Sequence, residues 1–315
     1  MVSQQAYALK MLRRLLIALA GAVAAASSTT AQVVLSANGA ETTKAATLSQ
    51  RNEIAFVRDY EIYVVGGDGH GVRKVARFLA SSPVTDPAWS SDRKRIAFMM
   101  FIKESDNEIG VVDASGRNRR DGLFGFGLAA EPAWSPDDKH LAVAGFVGGF
   151  PPASDNSAIV VVQTRPPHTH RKLTRYTHRD FSPSWSPDGR SIAFAREKRR
   201  NAPKAIFAVS SVGGPARRVT SGREPDWSPD GKWIALADRG NIYIVHGDGS
   251  GRRLLIGGAP IDGKPRWSPD GRKIAFVRTR KAGCTGFGCA RDLWVADRTG
   301  RKGRLLLRNA ETIDW

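Results

Sequence analysis

An all-β, six-bladed β-propeller closed by its C-terminal strand is the fold class this sequence predicts, on three observations. A block of twelve residues recurs five times along the chain. A partial copy near residue 51 lacks the first element of the block, and an isolated first element stands at residues 312–315. The composition is 41% hydrophobic and 25% charged, with 32 Gly, 17 Pro and 8 Trp, as expected of a globular protein with many short strands and tight turns.

The recurring block reads PAWSSDRKRIAF from Pro87, PAWSPDDKHLAV from Pro132, PSWSPDGRSIAF from Pro183, PDWSPDGKWIAL from Pro225 and PRWSPDGRKIAF from Pro265. Its tryptophans, Trp89, Trp134, Trp185, Trp227 and Trp267, are separated by 45, 51, 42 and 40 residues, while the step from Trp to the apolar start of the I-A-F element is always seven. Those starts are Ile96, Leu141, Ile192, Ile234 and Ile274. P-x-W is a first strand whose indole fills the gap between neighbouring sheets, covering roughly 150–250 Å². S-P-D-G is a tight turn, in which Pro presets φ, Asp bonds the local backbone and Gly takes positive φ. I-A-F is the second strand. A third follows at 109–112, 159–162, 206–209, 242–245 and 293–295, and a Gly-rich turn leads to a basic fourth strand such as Arg217-Arg218-Val219-Thr220. Four antiparallel strands per 40–50 residues make a propeller blade.

The ring closes through the two partial copies. Ile54-Ala55-Phe56 and residues 62–65 supply later strands of a sixth blade, but seven residues before Ile54 stands Thr47, with no Trp and no S-P-D-G. Thr312-Ile313-Asp314-Trp315 is the missing first strand. Its insertion beside Ile54-Ala55-Phe56 removes an exposed sheet edge.

The W-S-P-D-G-x-x-I-A-F block resembles the WD-repeat-like propeller repeat of the TolB-like family, over about residues 51–315. The resemblance implies an envelope-associated scaffold. The N-terminal domain of that family has no counterpart in residues 32–50, which are expected to be a linker, so roles carried by that domain are not implied. The same repeat is shared by propeller-bearing peptidases and oligogalacturonate lyases.

Residues 1–31 are expected to be a signal peptide. Lys10, Arg13 and Arg14 precede an apolar run over residues 15–26, with A-x-A sites at Ala24-Ala26 and a further cut after Ala31. The run is short for a bilayer span, so no transmembrane segment is expected after cleavage. Arg13-Arg14 allows both an ordinary positive segment and a twin-arginine signal, and Met11 offers a second start. No Cys stands at the cleavage region, so a lipoprotein is not expected. Removing these three cations lowers the formal charge from +18 to +15, a surface that attracts polyanions. Export directs that charge toward envelope polymers or lipid headgroups rather than nucleic acid. Cys284 and Cys289, in CTGFGC, are expected to form a disulfide in an oxidising compartment.

Strand order places the turns after strands one and three on one face and the loops after strands two and four on the other. The first set is uniformly tight. The second varies in length, at 103–107, 121–130, 145–156, 174–181, 198–204 and 279–291, and variable loops on a rigid scaffold commonly carry function. Candidate binding residues there are Phe124, Phe126, Phe146, Phe150, Tyr176 and Phe287, beside Lys198, Arg199, Arg200, Arg280 and Lys281. Aromatic anchors with basic neighbours suit a protein or anionic-polymer partner. On the same face, the residues before each P-x-W should ring the channel mouth: Asp86, Glu131, Ser182, Glu224, Lys264 and Thr312. Their acids would suit a cation or a basic partner segment.

No cofactor is expected and no enzyme chemistry is evident. There is no G-x-S-x-G, and a hydrolase domain after Trp315 is not expected. His168 and His170 precede the fourth strand and His178 follows it, about 17 Å apart, so a metal site is not expected. The Gly66–Gly71 stretch is the turn between strands three and four, without the helix N-terminus that a phosphate cradle needs. The expected function is an exported, non-catalytic propeller that acts as a monomer and binds an envelope protein or an anionic cell-wall polymer, in the periplasm or outside the cell. The alternative is a propeller-type polysaccharide lyase or hydrolase.

Overall fold

The computed structural model describes residues 52–79, 81–102, 107–122, 129–145, 156–258, 262–280 and 290–315. The chain divides into two units, 1–44 and 45–315; the described residues all fall in the second, so the expected leader lies outside them. All regular structure among the described residues is strand.

Six sheets form in chain order. The first holds β1 (Glu53–Arg58), β2 (Glu61–Gly66) and β3 (Arg73–Ala76). The second holds β4 (Val84–Trp89), β5 (Arg95–Phe101) and β6 (Asn107–Asp113). The third holds β7 (Ala129–Trp134), β8 (His140–Gly145), β9 (Ala158–Gln163) and β10 (His170–Lys172). The fourth holds β11 (Arg179–Trp185), β12 (Ser191–Glu197), β13 (Lys204–Ser210) and β14 (Arg217–Ser221). The fifth holds β15 (Arg223–Trp227), β16 (Trp233–Asp238), β17 (Asn241–His246) and β18 (Arg253–Ile256), and the sixth β19 (Asp262–Trp267), β20 (Lys273–Thr279), β21 (Arg291–Asp297) and β22 (Arg304–Arg308). The last strand, β23 (Ile313–Asp314), joins the first sheet in the order β23-β1-β2-β3, with Ala55 opposite Asp314 and Phe56 opposite Ile313. The Val57 N–H to Thr312 O and Glu311 N–H to Val57 O bonds, each 3.0 Å, extend this closure.

The I-A-F element follows from packing between sheets. Ile96 and Phe98 of β5 pack on Ala55, Ile62 and Val64 of the preceding blade, while Ala97 between them turns to the following blade and meets Trp134. The same division holds for Ala193 against Trp227 and Ala235 against Trp267. Ala is therefore the residue that leaves room for the next indole, and both faces of each second strand are buried, which explains a continuous apolar run rather than an alternating one.

The second blade departs from the expected four strands: its sheet has three, and the fourth is reduced to an isolated bridge between Val111 and Arg120. Two residues past the equivalent arginine, the other blades bury Val75, Leu173, Val219 and Leu255 or half-bury Leu306, whereas the second blade has Gly122. With no side chain to bury there, nothing holds the strand down.

Glycines in the turns between third and fourth strands let adjacent blades approach closely. Gly116, Gly249 and Gly300 have positive φ, and a Cβ on each would stand 2.3, 2.7 and 1.9 Å from the carbonyl oxygens of Val75, Val219 and Leu255 in the preceding blade. Gly300→Ala is expected to destabilise the fold by about 2 kcal/mol or more, since the left-handed conformation alone costs an L-residue roughly 1–2 kcal/mol. Urea denaturation checks this; an unchanged midpoint would show that the turn can shift away.

Candidate functional site

The first strands line a central channel of ≈ 360 Å³. In five blades the strand carries a bulge where the register shifts, between Thr85 and Ala88, Ala130 and Ala133, Phe181 and Ser184, Arg223 and Asp226, and Gly263 and Arg266. Each bulge holds the residue before Pro at positive φ: Asp86 at 50°, Glu131 at 54°, Ser182 at 50°, Glu224 at 55° and Lys264 at 49°. The residue before proline ordinarily stays extended. Here the repeated exception puts all five side chains on the channel wall.

These mouth residues bond from blade to blade. Thr312 Oγ1 accepts the Asp86 N–H (3.2 Å), Glu131 Oε2 the Ser182 N–H (2.5 Å) and Glu224 Oε2 the Lys264 N–H (2.8 Å). Lys264 Nζ then reaches Asp86 Oδ1 at 2.5 Å. Asp86, Glu131, Glu224 and Lys264 thus all line the channel, with Lys264 and Asp86 paired across it.

Sequence reasoning passed over a second tier, the middle residue of P-x-W. Asp314 Oδ2 accepts the Trp89 N–H and Asp226 Oδ2 the Trp267 N–H, both at 2.7 Å, and Ser184 Oγ accepts the Trp227 N–H at 3.1 Å. Arg266 Nε bonds Asp314 Oδ1 at 3.1 Å. Where the middle residue is Ala88 or Ala133, its carbonyl instead accepts the indole N–H of Trp134 or Trp185. The indoles of Trp89, Trp227 and Trp267, which follow side-chain acceptors, find no protein acceptor for Nε1. The signal was available: Asp, Arg and Asp stand where other copies carry Ala or Ser.

Burial raises three of the carboxyls in this channel, those of Asp226, Asp314 and Glu131. Asp226 is pushed up to about 7 by burial, against the pull of Arg266 and the Trp267 N–H. Burial also raises Asp314, opposed chiefly by Arg266, and it raises Glu131, with the Asp86 charge adding to the effect. Arg266 is held above its ordinary range: burial pulls it down, but Asp226, Asp314, Glu224 and Asp86 more than offset that. Five carboxyls thus face two cations, so the channel is short of positive charge in a protein of formal charge +18.

On the variable-loop face, Lys198, Arg199 and Arg200 are exposed next to β12. Arg280 is engaged with Asp292 (2.6 Å) and with Asn309 Oδ1 (2.7 Å), which ties β20 to the chain after β22. Tyr176 packs against the core between the second and third blades, with Lys172 Nζ 4.6 Å from its ring centroid. Phe124, Phe126, Phe146, Phe150, Lys281 and Phe287 lie outside the described residues, as do Cys284 and Cys289. Among the described residues no group of three or more His, Cys, Asp or Glu is placed to hold a metal, and no helix is long and apolar enough to cross a membrane.

The family described as TolB beta propeller domain matches residues 33–241. The chain is 25% identical over 210 residues to the Tol-Pal system protein TolB of Francisella tularensis, a match covering 53% of this chain and 47% of that one. It spans about half or less of the length of the curated relatives it matches. Among solved structures it superposes on TolB from Acinetobacter baumannii with a TM-score of 0.65 and 20% identity, covering 85% of this chain and 67% of the other. It also superposes on an oligogalacturonate lyase from Vibrio parahaemolyticus with a TM-score of 0.52 and 12% identity, covering 78% and 74%. At these identities the solved structures speak to the fold alone.

Proposed function

The chain belongs to the TolB beta propeller domain family, and from that premise we propose that it is an exported, non-catalytic binding module of the cell envelope, whose channel mouth seats a cationic segment of a partner protein. In this reading residues 1–31 are a leader, 32–50 a linker and 51–315 a monomeric propeller acting in the periplasm or outside the cell. The relatives' printed names belong to the Tol-Pal system, and an envelope role of that kind is part of the proposal.

One observation carries the reading: a channel short of positive charge inside a strongly basic protein. Carboxyls whose pKa burial has raised are carboxyls whose negative charge lacks compensation. A Lys, Arg or terminal ammonium entering the channel supplies it, and Asp226, at about 7 in the empty channel, then releases its proton. Affinity for such a segment should therefore rise with pH in the acid range and level off above about pH 7, the pKa of Asp226 in the empty channel.

The test is a photo-crosslinking pull-down from envelope extract with the full chain and two variants. The mouth variant, Asp86→Asn with Glu224→Gln, keeps acceptor atoms and removes charge. The loop variant changes Lys198, Arg199 and Arg200 to Ala. A partner lost at least tenfold with the mouth variant and kept by the loop variant supports the proposal. A partner lost only with the loop variant moves the site to the outer loops. No partner, together with cleavage of an acidic polysaccharide, overturns the non-catalytic reading.

A further inference from the structure

We propose that the opposite face, formed by the tight turns, docks flat on an anionic phospholipid surface. In the turns of that face, between the strand ends, 13 Lys and Arg stand against 8 Asp, Glu is absent, and six arginines at the adjoining strand positions add to the excess. The cations occupy two repeating positions. The inner one follows the first turn of each complete block: Lys94, Lys139, Arg190, Lys232 and Arg272, all exposed. The backbone N–H of each bonds the turn aspartate, as Lys94 does with Asp92 at 3.0 Å and Lys232 with Asp230 at 3.1 Å. The aspartate is thus held close to its own turn by these bonds, although it is exposed, while the longer cationic side chain can reach beyond it.

The outer position is an arginine in every blade. Arg73, Arg120, Arg171, Arg217, Arg253 and Arg304 pair with Val64, Val111, Val161, Ala208, Ile244 and Val295, which are the same place on each third strand. Four of these guanidiniums are fixed at the rim by a carbonyl in the next blade's turn: Arg73 to Ala114 O (2.7 Å), Arg171 to Ser211 O (2.6 Å), Arg217 to Gly247 O (2.6 Å) and Arg304 to Asp68 O (3.1 Å). The clamp explains the arginine's place in the fold, yet five of the six remain exposed.

A second, independent feature selects lipid over a soluble polyanion. Three of the five exposed large apolar side chains stand beside this ring, in the first, fourth and fifth blades, while Tyr60 and Leu79 stand on the other face. Val72 (44% exposed) precedes Arg73, Val212 (74%) stands in the turn before Arg217, and Leu254 (54%) follows Arg253. Apolar side chains flanked by cations are the pattern of interfacial binding, where the apolar groups enter the headgroup boundary and the cations meet phosphate. Two concentric rings suit a plane, which touches all of them together, better than a linear polymer, which follows one arc.

The experiment is co-sedimentation of the full chain with phosphatidylcholine vesicles, with and without phosphatidylglycerol, at low and high NaCl. Binding is expected only to the anionic vesicles and is expected to weaken with salt. Changing the inner ring to Gln (Lys94→Gln, Lys139→Gln, Arg190→Gln, Lys232→Gln and Arg272→Gln) should lower partitioning by at least about a hundredfold, at roughly fivefold per cation. Val212→Asp should lower it several-fold. Changing Lys198, Arg199 and Arg200 to Ala should leave it unchanged. Equal binding to neutral vesicles, or retention by the inner-ring variant, overturns the proposal. So does full vesicle binding by Val212→Asp alongside loss in the inner-ring variant, which would mark a site for soluble polyanions instead.

Discussion

Trp315→Ala is expected to lower stability by about 3–5 kcal/mol, the range for emptying a buried aromatic site. Trp315 is 7% exposed and packs with Ile54, Phe56 and Ala275, so it glues the last blade to the first. Its Nε1 donates to Asn52 Oδ1 at 3.2 Å, and a Cβ on Gly67 would stand 2.6 Å from its ring, so the chain is built close around it. Trp134→Ala is the control: that residue is also 7% exposed, but it lies within β7, far from the joint. Both variants should unfold at lower urea. Only the Trp315 variant should also aggregate, because loosening β23 bares the edge of β1. Equal aggregation in the two would show that closure depends on backbone pairing and not on the indole.

The dependence of stability on pH should peak in mildly acid solution. Two sets of carboxyls act in opposite directions. Aspartates of the turns, such as Asp188 and Asp230, are held below their ordinary 3.8 by the Ser186 and Ser228 hydroxyls and by backbone N–H groups. A lowered folded-state pKa gives stability that is present above the unfolded value and lost as pH falls through the folded one, so these groups weaken the fold below about pH 4. Asp226 is the reverse. Its folded-state pKa of about 7 lies above the ordinary 3.8, so between those values the folded protein binds more protons than the unfolded chain. Raising the pH through that interval therefore removes stability, up to about 4 kcal/mol if the whole shift is expressed at about 1.36 kcal/mol per unit. Asp226→Asn should abolish most of that decline: it should match the parent near pH 4 and exceed it by a few kcal/mol at pH 8. A parent whose stability is flat from pH 5 to pH 7 would show that water in the channel solvates Asp226 fully.

The spacing of the tryptophans and of the I-A-F elements made the blades, their number and the closing strand legible, because each of those residues exists to fill the space between two sheets. The mouth residues were legible by position, but not by conformation. Nothing local in Asp86-Pro87 or Glu224-Pro225 announces a left-handed residue before proline; the bulge is imposed by packing six first strands around one axis. The loss of a fourth strand in the second blade turned on Gly122, whose meaning depends on the valines and leucines that hold its place elsewhere. The recurring arginine at the outer edge was visible only as a general basic character, since its common position follows from pairing with the third strand. The aromatic residues of the variable loops, Phe124 to Phe287, rested on loop length alone.

The bulged positions have a consequence for engineering. Asp86, Glu131, Ser182, Glu224 and Lys264 share one backbone conformation while carrying an aspartate, two glutamates, a serine and a lysine. The left-handed position therefore accepts acidic, neutral and basic side chains alike, although Glu131 and Glu224 also accept the backbone N–H groups of Ser182 and Lys264. Reprogramming the aperture thus becomes a combinatorial library over five codons in which the positions of Glu131 and Glu224 keep an acceptor, Gln or Glu, for the neighbouring N–H.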